Sequence, residues 1–87
     1  MTLKNLKEAE KRNKILDEIE WNFVNDFVQT RKNHNLSQQK IADKSNVIRE
    51  TIARIETHIM SPTIGTMIDI LEPLGYTIKI VPMDKNK

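Results

Sequence analysis

Arg49, Glu50, Ala53, Arg54 and Thr57 share one side of a helical spacing whose other side is Ile48, Ile52, Ile55 and Ile59. A short helix that buries isoleucines and turns a compact, ion-bearing, long-armed face to water has the division of labour needed to read DNA from its groove. Rival chemistries find little material. His34 and His58 could be imagined as a metal or catalytic pair, but no third ligand accompanies them. The chain has no cysteine, no nucleophile elbow and no glycine-rich loop. The expectation is no catalysis, no metal and no cofactor.

The elements that must position this face lie in the stretch from Leu36 to Glu56, LSQQKIADKSNVIRETIARIE, which reads as two short helices joined by a tight turn. Ser37 is a good N-cap, because its hydroxyl can accept from a free first-turn N–H. Ile41 and Ala42 give the first helix a short apolar face. Asn46 stands where the chain must turn, and asparagine tolerates a left-handed backbone better than most residues.

Eighty-seven residues are expected to form one domain with a modest core. The absence of cysteine excludes a disulfide scaffold and a zinc knuckle. No signal peptide and no stretch able to span a bilayer are visible, which predicts a soluble cytoplasmic protein with no membrane partner. The net charge of +2 says little by itself, but its distribution says more. From Arg31 to His58 there are six Lys/Arg against three acids, so the positive excess lies on the proposed DNA-binding stretch.

Residues 1–14 are rich in Lys, Arg, Glu and Asn, with Leu3, Leu6 and Ala9 as the apolar anchors. This predicts a helical extension. From Ile15 to Val28 the apolar content rises, predicting a first core helix that ends near Asn33 to Asn35 and buries Trp21 and both phenylalanines. The spacing leaves open whether the two are continuous. After a loop over 58–62, Thr63 can cap a last helix with Ile64, Met67, Ile68, Leu71 and Leu74 inward. Pro73 should bend its final turn and Gly75 should end it. Tyr76 to Val81 then alternates, with Tyr76, Ile78 and Ile80 on one face. That is a strand signal, and Pro82 closes it.

The stretch resembles the helix-turn-helix of the phage-repressor, or XRE-type, DNA-binding family. The resemblance is carried by Gln38 after the capping Ser37, the Ile41–Ala42 pair, Val47 after the turn, and Ile52, Arg54, Ile55 and Glu56. It extends through SPTIGTMIDILEPLG and covers roughly Val24 to Gly75. With the tail YTIKIVP the chain looks most like a HigA-type antitoxin. The resemblance implies that Arg49, Glu50, Thr51 and Arg54 reach base edges, where Arg can grip guanine with two bonds and Glu can accept from the cytosine amino group. It implies a phosphate contact for Gln38; apart from the resemblance, Lys40, Thr57 and His58 are expected as further phosphate contacts. The resemblance also implies an internal salt bridge between Arg31 and Glu56. Ile48 departs from the pattern, since the family usually has Ser or Thr there as a cap.

The expected fold is therefore all-α, a phage-repressor-like bundle of about five helices with a C-terminal β-strand. The expected divisions are a helical extension over 1–19, the DNA-binding domain over 20–75, a dimerisation strand over 76–82 with Tyr76, Ile78 and Ile80 at the interface, and a polar tail over 83–87. The expected function is a repressor that binds double-stranded operator DNA as a homodimer and neutralises a HigB-type RNase toxin as an antitoxin. The alternative is a free-standing XRE-type repressor with no toxin. A third possibility is a pure interaction module that no longer binds DNA.

Overall fold

The computed structural model describes residues 3–83, with side chains from Asp17 onward; the side chains of residues 1–16 of the expected extension and residues 84–87 of the polar tail lie outside them. Four α-helices follow one another: α1 (Leu3–Asn33), α2 (Gln38–Lys44), α3 (Arg49–Glu56) and α4 (Ile64–Leu71), the last running into a single 3₁₀ turn at Glu72–Leu74.

The all-helical bundle is present, but two expectations about it are corrected. The extension and first core helix, whose continuity the spacing left open, are one helix, so among the described residues there are four α-helices rather than about five. No glycine or proline interrupts residues 3–33, so nothing stops the helix. At 1.5 Å per residue α1 is about 46 Å long, close to the longest dimension of the molecule, 48 Å. The second correction is the C-terminal strand. Residues 76–83 form no strand. A strand exists through its ladder of hydrogen bonds, and no second strand occurs among the described residues to supply one. Nor do Tyr76, Ile78 and Ile80 keep a common face: Ile78 lies against the core, while Tyr76 is exposed and Ile80 stands 97% exposed.

Three helix ends close in the same way, with a 6→1 and a 5→2 backbone bond around a left-handed residue. At the end of α1, Leu36 N donates to Arg31 O and Asn35 N to Lys32 O, with Asn35 at φ 56°. At the end of α3, Ile59 N donates to Arg54 O and His58 N to Ile55 O, with His58 at φ 64°. After the 3₁₀ turn, Tyr76 N donates to Leu71 O and Gly75 N to Glu72 O, with Gly75 at φ 82°. Gly75 is where glycine was expected. Asn46 is not among the left-handed residues; the chain between α2 and α3 turns without that conformation.

The core is Val24 and Phe27 of α1, Ile41 of α2, Ile52 and Ile55 of α3, and Met67, Ile70, Leu71 and Leu74. Ile41, Ile52, Ile55 and Ile70 are fully buried, each contributing roughly 1.5–3 kcal/mol by leaving water. Periodicity overreached at its edges. Ile48 and Ile59 are exposed, because α3 covers only Arg49–Glu56. Ile48 is in extended backbone before it and Ile59 follows the left-handed His58, so neither keeps the helical register. On α4 the inward stripe is Met67, Ile70 and Leu71, leaving Ile64 and Ile68 outside. Trp21 is also half exposed. No helix among the described residues is long and apolar enough to cross a membrane.

Candidate nucleic-acid interface

The two helices at the centre start differently. Ser37 caps α2, its Oγ accepting from Lys40 N at 3.1 Å. Ile48 occupies the same place before α3 and has no side-chain oxygen to offer. The connection between them is held by Ser45, whose Oγ accepts from Val47 N at 3.2 Å, while Val47 packs on the core.

What holds α3 is at its other end. Glu56, its last residue, accepts from Arg31 Nε at 2.7 Å and from Arg31 Nη2 at 2.8 Å. Arg31 Nη1 donates to Leu36 O at 2.8 Å, and Gln38 Nε2 donates to Glu56 Oε1 at 2.9 Å. The side chains of the pair are only 10% and 7% exposed. Arg31 lies on the continuation of the buried stripe of α1, one turn after Phe27. One ionic cluster therefore joins the end of α1, the loop after it, the start of α2 and the end of α3. Two-pronged geometry of this kind is directional as well as strong. It fixes the angle at which α3 leaves the core.

The outer surface of α3 follows from that placement. With 100° per residue, Glu50, Ala53, Arg54 and Thr57 fall opposite the buried Ile52 and Ile55, and Arg49 and Thr51 flank them. Arg49, Glu50 and Arg54 are exposed and Thr51 is half-buried. Of the four residues expected at base edges, Glu50 and Arg54 share the outer face, while Arg49 and Thr51 lie on its two flanks and Thr51 is half-buried. Because Arg31 and Glu56 neutralise each other inside, the positive excess of the 31–58 stretch is carried entirely by the outer side chains.

The expected phosphate contacts divide into free and engaged groups. Lys40 is exposed in the first turn of α2. Gln38 is half-buried, and one of its amide hydrogens is given to Glu56; the second hydrogen is the one that could meet a phosphate. Thr57 is exposed, and its hydroxyl donates within the helix, to Ala53 O at 2.9 Å with Arg54 O at 3.3 Å. His58 lies flat on Trp21, ring centroids 3.5 Å apart and planes 5° from parallel. Beside this stack Ser61 Oγ donates to Glu20 Oε2 at 3.0 Å, tying the loop after α3 to α1. His34 is elsewhere, 3.3 Å from the Tyr76 hydroxyl.

Sequence reasoning missed two parts of this arrangement. Gln38 as a brace for Glu56 was not foreseen, though a glutamine at a helix start, with its long arm free to swing, was the available signal. The Trp21–His58 stack had no signal, since nothing local links residues 37 positions apart.

Residues 29–81 match the family model described as Helix-turn-helix. A protein of Haemophilus influenzae (strain ATCC 51907 / DSM 11121 / KW20 / Rd), named an uncharacterized HTH-type transcriptional regulator, is 33% identical over 61 residues. The match covers 70% of this chain and 62% of that relative, so the chain spans somewhat less than two thirds of its length.

Proposed function

The chain belongs to the XRE-type helix-turn-helix family, and from that premise we propose that it is a sequence-specific DNA-binding regulator of transcription, with α3 as its reading helix. The observation that carries this is the outer face of α3: Arg49, Glu50 and Arg54 stand free while Ile52, Ile55 and the Arg31–Glu56 cluster hold the helix from behind. Arg49, Glu50, Thr51 and Arg54 read base edges; Lys40 and the free amide hydrogen of Gln38 meet phosphates. The test is a gel-shift titration against operator and random DNA over a range of salt. Binding that did not weaken steeply with salt would overturn the reading.

The regulator acts as a homodimer on a two-fold symmetric operator, with reading helices about 34 Å apart. The tail supports a second copy there: Tyr76, Ile80 and Val81 are exposed, and Ile78 is half-buried against its own core. Substituting Ile80 by Asp should give a monomer in sedimentation that keeps its helical content and loses most operator affinity. Dimerisation unchanged by that substitution would move the interface off the tail.

Its biological setting is that of a HigA-type antitoxin that represses its own operon and holds a HigB-type RNase toxin inactive. This is supported by the resemblance over Val24 to Gly75 and by the tail YTIKIVP. The rival is a free-standing repressor. A small basic protein encoded beside the gene and co-purifying with the chain would decide for the antitoxin; a gene with no such neighbour would decide for the rival.

A further inference from the structure

We infer that the groove between α1 and α4 is the docking site of a basic protein partner, whose apolar side chains fill it while its lysines and arginines meet the acids around it. Resting on the antitoxin reading for the partner's biological role, this assigns the surface on which such a partner is held.

The groove is lined by Ile19, Glu20, Phe23, Ile64, Met67 and Ile78 and encloses about 570 Å³. Its walls are apolar, yet Ile19 is 52% exposed and Ile64 70% exposed, with Ile68 beside them at 42%. Ile64 and Ile68, two of the three isoleucines of α4, stand one turn apart on the side left exposed, while Ile70 is buried. Large aliphatic side chains grouped along one groove, rather than scattered singly, mark a surface that another molecule covers.

The charge around the groove says which molecule. Of the segments that build it, residues 15–30 contain Asp17, Glu18, Glu20 and Asp26 and no Lys or Arg, whereas residues 59–79 contain Asp69 and Glu72, which line a separate cleft with Asp43 and Lys44 of α2, and Lys79 next to Ile78. Asp17, Glu18, Glu20 and Asp26 are exposed. Glu20 lines the groove itself, Asp17 shares the neighbouring cleft with Trp21 and His58, and Asp26 borders the adjoining cleft beside Phe23 and Tyr76. The stretch between the two segments, 31–58, has the opposite balance, six cations to three acids. Nucleic acid and anionic membrane are repelled from the acidic side. A second copy docked there about a two-fold axis would bring one acidic rim against another, and like charges brought together at an interface are costly. A cationic partner with an apolar strip satisfies both the wall and the rim. DNA on α3 and protein in the groove also use different surfaces, so one molecule can hold both.

The test uses the full chain and a synthetic amphipathic helix of leucine and lysine as probe. NMR titration should move the signals of Ile19, Phe23, Ile64, Met67 and Ile78, and affinity should fall as salt is raised. Ile64→Asp, at a site exposed enough to keep the fold, should weaken the probe about tenfold or more, and Glu20→Lys should weaken it while leaving the operator shift unchanged. The same peptide with glutamate for lysine should not bind. Equal binding of the glutamate peptide, a footprint away from the groove, or self-association of the unaltered chain that Ile64→Asp abolishes would each overturn the assignment, the last by making a second copy the occupant. A missing footprint would leave co-purification of a basic neighbour untouched. Failure of that co-purification would remove the antitoxin reading and leave the footprint standing.

Discussion

Where α3 shows water Arg49, Glu50 and Arg54, α4 shows it Ile64 and Ile68. The two helices are otherwise a matched pair. Each has eight residues and each buries a short aliphatic stripe, Ile52 and Ile55 in one, Met67, Ile70 and Leu71 in the other. They differ in how they are held. Thr63 caps α4, its Oγ1 accepting from Thr66 N at 3.1 Å, so that helix satisfies its own start from within four residues. Ile48 gives α3 no cap, and α3 is fastened instead at its far end by Glu56 to Arg31 and Gln38, 25 and 18 residues away in sequence. The lesson is that the helix proposed to read DNA is the one whose position depends on tertiary contacts. The helix with the apolar outer face is locally self-sufficient but leaves surface for a partner to cover.

The largest effect should come from cutting the tertiary fastening. Glu56→Ala strands Arg31 beneath the surface and should cost about 3–5 kcal/mol, lowering Tm by roughly 12 °C or more in a domain of this size. Glu50→Ala, on the solvent side of the same helix, should move stability by about 0.5 kcal/mol or less. Thermal melts of both variants without DNA decide it. If their Tm values matched, the ionic cluster would not be what holds α3, and the contrast with α4 would fail.

Next come the reading residues. Arg54→Ala and Arg49→Ala should each remove about 1–3 kcal/mol of the preference for operator over random DNA while leaving the melt near that of the parent. An Arg54→Ala protein that kept its operator preference would mean that α3 meets DNA by another face.

A smaller effect tests the caps. Thr63→Ala should destabilise the fold by ~1 kcal/mol, and Ile48→Ser should stabilise it by a similar amount by giving α3 the hydroxyl that α4 already has. Denaturant midpoints measure both. Were Ile48→Ser neutral, the first turn of α3 would already be satisfied by water and the caps would not distinguish the helices.

The smallest effect belongs to the phosphate contact. Lys40→Ala should weaken operator and random DNA alike and reduce the slope of log K against log salt by about 1. A loss confined to operator DNA would make Lys40 a base reader.

Local chemistry was legible because its causes lie within one helical turn. Ser37 and Thr63 cap the helices they were expected to cap, and Gly75 takes the left-handed backbone that closes the last turn, since each such bond joins residues at most five apart. The buried pair Ile52 and Ile55 and the solvent side of α3 follow from periodicity alone. Periodicity gives a face but not its limits. Whether Ile48 and Ile59 belong to the buried row, or whether Ile68 or Ile70 points inward, depends on where the helix stops and what lies against it. A segment such as 76–82 can have strand-like alternation and still form no strand, because alternation is a property of one chain and a ladder requires two. The ionic cluster and the Trp21–His58 stack likewise join residues that only the packing of α1 against α3 brings together. By itself, then, the sequence determined the caps, the helix-turn-helix and the side chains that α3 turns to water. Tertiary structure decided how α3 is held, which isoleucines stay outside and where the acidic side of the molecule opens into a groove, because each depends on contacts between segments that no local spacing encodes.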